Sequence, residues 1–173
     1  VAAPVVADLA AYLKMSDFTA ETADLTRVLA SATEWVERRC GPFEVTAFSR
    51  VVVTGGGRVY LAVPALVTVD TITDHGGTER TASVVDTESS VVYTSRGSRG
   101  PWTFTGTHGY ATSPAIMTDA VLALAKHWWG AYAGTRRENR TDGTQAAVMG
   151  GYAIPHSVEQ LVQQVPGSTV PIA

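Results

Sequence analysis

The sequence predicts an α+β protein: a small bundle of N-terminal and late helices with an antiparallel β module inserted between them. Three observations carry this. Apolar residues recur at intervals of three and four between Leu25 and Cys40, and again between Met117 and Tyr132, which is the spacing of a helical face. From Phe43 to Tyr110 that period gives way to β-branched residues, threonines and glycine turns. Over 173 residues, 45% are hydrophobic, enough to bury a core of one compact domain or a domain with an insert. The expected division is 1–42 for the first helices, 43–112 for the β module, 113–165 for the late helices and 166–173 for a tail.

The elements follow in order. "DLAAYLK" reads as a short helix over Asp8 to Lys14, with the Asp8 carboxylate placed to accept first-turn amides. From Ala23 a longer helix places Leu25, Val28, Leu29, Ala32, Trp35, Val36 and Cys40 on one face; Gly41 and Pro42 stop it. Leu25, Val28, Leu29 and Val36 are predicted core. On its polar face Glu34 and Arg38 stand four apart and can pair; that face is either solvated or an intersubunit surface. Strands are expected at about Val45 to Thr54, Arg58 to Val63, Leu66 to Asp74, Thr81 to Val85, Ser90 to Thr94 and Trp102 to Thr107, with "TGGGR" and "DHGGTE" as hairpin turns. A third helix is expected from Ala115 to about Ala133, opened by Ser113 and Pro114 and ended by Gly134. Pro155 opens a short last helix, and "PGSTVPIA" forms a tail without structure of its own.

Composition and motifs exclude several functions. Thirteen Lys and Arg against sixteen Asp and Glu leave a formal charge of −3, the wrong sign for a broad grip on nucleic-acid phosphates. Cys40, the single cysteine, permits no intramolecular disulfide and no cysteine metal cluster, and reads as a buried hydrophobe. No secretory core or membrane-length run is expected. His75, His108, His127 and His156 share no ligand spacing, so no metal or cofactor is predicted, and His127 reads as a hydrogen-bonded boundary residue. "TGGGR" lacks the Lys-Ser/Thr and following helix of a phosphate loop. No serine sits in a strand-to-helix elbow and no acid pair suggests glycoside hydrolysis, so no catalytic residue is assigned. The basic cluster "TRRENR" is partly neutralised by Glu138 and Asp142 and reads as a solvated loop or a phosphate contact.

The adjacent tryptophans of "LAKHWWGAY" separate by angle. At about 100° per residue, Met117, Val121, Leu124, Trp128 and Tyr132 share one arc, which makes Val121, Leu124 and Trp128 predicted core. Trp129 turns away and shares a second stripe with Leu122, bounded by Asp119 and Lys126. A helix apolar over so much of its circumference needs cover from the β module or from a neighbouring subunit. The predicted oligomer interface is therefore Leu122 and Trp129, with Glu34 and Arg38 of the preceding helix.

Taken together, "DLAAYL", "LTRVLASATEWVERRCGPF", "SPAIMTDAVLALAKHWW" and "GGYAIPHSVEQLV" resemble the head-to-tail connector, or adaptor, proteins of long-tailed double-stranded-DNA bacteriophages. The matching positions are Ala32, Thr33, Val36, Glu37, Gly41 and Phe43 in the early helix, and Ile154, Pro155, Val158 and Leu161 in the last one. The resemblance implies a nonenzymatic virion protein, made in the host bacterial cytoplasm. It implies a homo-oligomeric ring, usually twelvefold, beneath the portal protein, which extends the DNA channel without sequence-specific DNA binding and gives the next tail-side protein a docking surface. It also implies a portal-directed C-terminal segment, here Pro166, Val170, Pro171 and Ile172. The alternatives are a stopper or tail-completion ring, or a small α+β hydrolase with His127 or His108 as general base.

Overall fold

The computed structural model describes residues 2–52, 58–80, 84–87, 90–93, 101–138, 153–166 and 168, with backbone alone at 84 and 132–138. The architecture is α+β. Among the described residues run α1 (Val6–Tyr12), a 3-10 turn (Thr19–Glu21), α2 (Thr22–Cys40), seven short strands, α3 (Ala115–Glu138) and α4 (His156–Gln163). Two compact units emerge. One is helical, Ala3–Val36 with Ala115–Gln164; the other is rich in strand, Val1–Ala2, Glu37–Pro114 and Val165–Ala173.

In the helical unit, α1 begins two residues before the expected start. Asp8 is therefore not the cap but the third helical residue, and its carboxylate reaches back to the Val5 amide at 2.8 Å. The helix ends where Lys14 enters the left-handed region at φ 57°, so that Lys14 N–H reaches the Ala11 carbonyl and Met15 N–H that of Ala10, both at 3.0 Å. α2 buries Leu25, Val28, Leu29, Ala32, Val36 and Cys40. α3 packs against α1 and α4 and buries Met117, Ala120, Val121, Leu122, Leu124, Ala125 and Trp128. Fully burying one such side chain is worth about 1.5–3 kcal/mol. α3 runs on to Glu138, through the Gly134 expected to end it. A helical glycine costs only about 1 kcal/mol against alanine, and no proline follows to enforce a stop. Pro155, extended at φ −62° and ψ 137°, precedes α4, whose Val158 amide donates to its carbonyl at 2.9 Å.

Among its described residues the second unit holds two antiparallel sheets. The strands are β1 (Thr46–Val52), β2 (Arg58–Tyr60), β3 (Leu66–Thr73), β4 (Glu79–Arg80), β5 (Val84–Asp86), β6 (Val91–Tyr93) and β7 (Trp102–His108). One sheet is ordered β1-β7-β3-β4 and the other β2-β6-β5. Of the strand expected at Thr81 to Val85, Val84 and Val85 lie in β5; residues 81–83 lie outside the described ones, and β4 stands just before them in the other sheet. β1 and β2 also belong to different sheets, so "TGGGR" joins no hairpin; its residues 54–57 lie outside the described ones. "DHGGTE" does turn β3 into β4. The Asp74 carboxylate accepts the Gly76 and Thr78 amides at 3.0 and 2.9 Å, and Gly77 takes φ 77°. The core of this unit gathers Val59, Leu61, Leu66, Ile72, Trp102 and Phe104, with Phe48 and Val52 packed on it.

Two glycines set the close approach of its strands. A Cβ on Gly106 of β7 meets the Thr68 carbonyl oxygen at 2.1 Å, beside the register shift of β3. Gly41, at φ 94°, ends α2 with its amide on the Glu37 carbonyl at 2.8 Å and leaves no free space over Pro64 and Ala65.

Candidate functional site

The surface of the strand-rich unit is organised by the segment Leu61–Ala65, on which β2 leaves its sheet. Ala62 and Ala65 both hold positive φ, 49° and 51°, which a side chain disfavours. Donors fix them there. Leu61 N–H reaches the Ser90 carbonyl at 2.9 Å, and Gly109 N–H reaches the Ala65 carbonyl at 2.8 Å. The Arg50 guanidinium donates to the Ala62 carbonyl at 2.8 Å, and the buried Ser90 hydroxyl to that of Val63 at 2.6 Å. This turn ends β2 three residues before the expected Val63.

Beside that segment an open cleft of about 300 Å³ is lined by Phe48, Ser49, Arg50 and His108 from the sheet and Ala62, Val63 and Pro64 from the turn. Phe48 meets the His108 ring edge-on at 5.7 Å between centroids. The lining has a guanidinium, an imidazole and a hydroxyl and no carboxylate. β1 forms the edge of its sheet at this place. Phe48 and Arg50 share the face of Phe104, whereas Ala47, Ser49 and Val51 share the face of Thr103, Thr105 and Thr107. That second face continues through two hydroxyl pairs to β3, Thr68 with Thr107 at 2.8 Å and Thr71 with Thr105 at 2.6 Å.

The register puts Ser49 and His108 on opposite faces of the sheet, so this hydroxyl and this imidazole are not aligned. His75, His127 and His156 are exposed, so His127 is a solvent-facing residue rather than the expected boundary one. The His156 ring bonds Gln160 at 3.1 Å. Among the described residues no three His, Cys, Asp or Glu side chains gather as metal ligands, and no helix is long and apolar enough to cross a membrane. Burial pushes the Cys40 thiol up to about 12, against a small opposing effect of Arg39, so it is no nucleophile at neutral pH. Tyr110 is also raised, by burial first and then by Cys40; its hydroxyl lies 2.8 Å from the Cys40 carbonyl and 2.7 Å from that of Pro166.

The residues read as an interface part company. Glu34 and Arg38 are exposed on α2 and Trp129 is half-buried on α3, but Leu122 is only 8% exposed. Leu122 therefore belongs with the core of its own chain; seven residues make nearly two full turns, so Trp129 differs from it in position along the helix rather than around it. Leu25, Val28, Leu29, Val36, Val121, Leu124 and Trp128 are all buried. Of the tail, Pro166 is exposed, and Val170, Pro171 and Ile172 lie outside the described residues, as does the basic cluster beyond Glu138. The cleft and the open edge of β1 had no motif in the sequence; the proline in "LAVPALV" was the only local signal that β2 must end early.

No family model and no curated protein matches the chain. Solved structures do. A chain of the neck of an empty GTA particle, computed with C6 symmetry, superposes with a TM-score of 0.60 at 20% identity, over 99% of this chain and 93% of that one. A chain of the virion of a native gene transfer agent (GTA) particle gives 0.59 at 21%, over 99% and 93%. A chain of the neck of a native GTA particle, computed with C12 symmetry, gives 0.53 at 21%, over 90% and 86%. At this identity the likeness establishes a shared fold.

Proposed function

We propose that the chain is a structural component of a phage-like head-to-tail neck, a ring of identical copies below the portal that joins the DNA-filled head to the tail and extends the DNA channel. The observation that carries this reading is the likeness to neck chains over 99% of the sequence. Three features support it. The mildly acidic balance, −3, lets DNA slide rather than adhere. The fold is shared with a chain of a gene transfer agent virion as well, over 99% of the sequence. Large apolar side chains, Val5, Val45, Val51 and Tyr60 among them, stand exposed. Within this reading Trp129, Glu34 and Arg38 are the residues assigned to the contact between copies, and the segment from Pro166 to Ile172 is assigned to the portal. A stopper or tail-completion ring is the second reading, since it has the same partners.

Electron microscopy of the protein bound to portal-bearing heads tests the proposal. A cyclic ring seated on the portal is expected, and a soluble monomer that never joins the particle overturns it. Trp129→Ala should lower the yield of rings more than it lowers the monomer's melting temperature. Deleting 167–173 should leave rings intact and abolish head attachment; unchanged attachment removes the portal assignment.

A further inference from the structure

β1 is an open edge. Among the described residues no strand lies beyond it, and Val45 and Val51 stand exposed along it. An unpaired row of N–H and C=O groups accepts another strand unless a protein blunts it by bulge, proline or inward charge. Thr46–Val52 has neither bulge nor proline and pairs with β7 in unbroken register; its one charge, Arg50, lies on the inner face and blunts the edge against a strand that brings no opposite charge. Three residues of this same strand, Phe48, Ser49 and Arg50, line the cleft.

We propose that β1 accepts an extended segment of a second protein, which adds as a further strand and places an acidic side chain in the cleft against Arg50. The geometry follows from the pleat. Side chains of an added strand alternate between faces, so every second one lies on the face of Phe48 and Arg50 and enters the cleft. The others lie beside Val51 and the threonine face, where β-branched or apolar residues fit. The charge of the occupant follows from the lining. Arg50 donates to one neutral carbonyl, that of Ala62; a guanidinium has five N–H donors, and its fork matches a carboxylate. The cleft supplies no acid of its own.

Other occupants fit less well. One arginine in an apolar cleft is too little for a nucleic-acid backbone, which is held by several cations at once. Two copies paired through β1 would bring their Arg50 side chains to one sheet with no acid anywhere in Thr46–Val52. The inference goes beyond the neck reading and does not depend on it.

The test is selection of a displayed library of random peptides, each about twelve residues, enough for a strand of typical length with flanks. Selection is run on the full chain and, in parallel, on Arg50→Glu and Arg50→Lys, with circular dichroism confirming that each variant is folded. The expected peptides alternate β-branched or apolar residues and have Asp or Glu at one fixed place. They bind Arg50→Glu about tenfold more weakly or worse, the scale of one lost charge pair, and retain binding to Arg50→Lys. N-methylation of alternate peptide amides should abolish binding in one register and spare the other. No enrichment, enrichment without an acid, equal binding to Arg50→Glu, or indifference to the methylated register each overturns the proposal. A chain that dimerises through β1 in light scattering and excludes every peptide does so too. Rings on heads with no peptide selected reject strand addition alone; selected peptides with no rings reject the neck reading alone.

Discussion

Along α3, seven side chains from Met117 to Trp128 are buried in a pattern that repeats with each turn. Along β7, by contrast, one position decides the register: Gly106 has the Thr68 carbonyl 2.1 Å from where a Cβ would stand. The helical unit is built from many interchangeable apolar contacts, and the strand-rich unit from a few contacts that only one residue can make. The difference teaches where each is vulnerable. A helix face loses stability in proportion to the volume removed, whereas a sheet held by close approach and fixed carbonyls fails when a single atom is added or a single donor is lost.

Four substitutions sharpen or break that contrast. Trp128→Ala should cost roughly 3–5 kcal/mol in chemical denaturation, as the loss of a large buried side chain does. Gly106→Ala adds one methyl group and should still cost about 3 kcal/mol, the upper range for overpacking, because the obstacle is backbone rather than a movable side chain. If Gly106→Ala melts like the parent, β3 yields and the contrast fails. Ser90→Ala should cost about 1–3 kcal/mol, since it leaves the buried Val63 carbonyl without its donor; hydrogen exchange should then quicken at Leu61, whose amide bonds the Ser90 carbonyl.

The smallest effect is one of pH. The Cys40 thiol rises from an ordinary value of 9.0 to about 12 on folding. Below pH 9.0 both states keep the proton and the thiol adds no pH dependence. Between those values the unfolded chain ionises and the folded one does not, so stability falls as pH rises, by up to ~1.4 kcal/mol per unit for one group. Tyr110 acts in the same direction above its ordinary value of 10.0. Cys40→Ser should flatten the first part of that decline, read by urea melts from pH 8.5 upward; an unchanged slope assigns it to Tyr110.

Legibility in the sequence follows the same division. α2 and α3 could be read because burial repeats with the helical period, and Gly41 could be read because its left-handed turn needs a glycine. Gly134 misled because a helix tolerates a single glycine. Asp8 misled because a carboxylate serves a helix start equally from the cap or from one turn inside it. The two-sheet arrangement was hidden, since β1 and β2 look like hairpin partners until β7 and β6 are seen to claim them from at least 50 and 31 residues away. The cleft was hidden for a related reason: Arg50, Ala62 and His108 converge only through that pairing, and left-handed alanines leave no mark in composition.

A phenol has one hydrogen, yet the Tyr110 hydroxyl stands within bonding distance of two carbonyls, the last of α2 at Cys40 and that of Pro166. The proton is therefore a shared resource. Whenever the backbone at Pro166 is drawn elsewhere, the hydroxyl turns wholly to Cys40 and leaves no unsatisfied donor behind. The Pro166 carbonyl is thus held by a fastening that can be released at little cost to the fold.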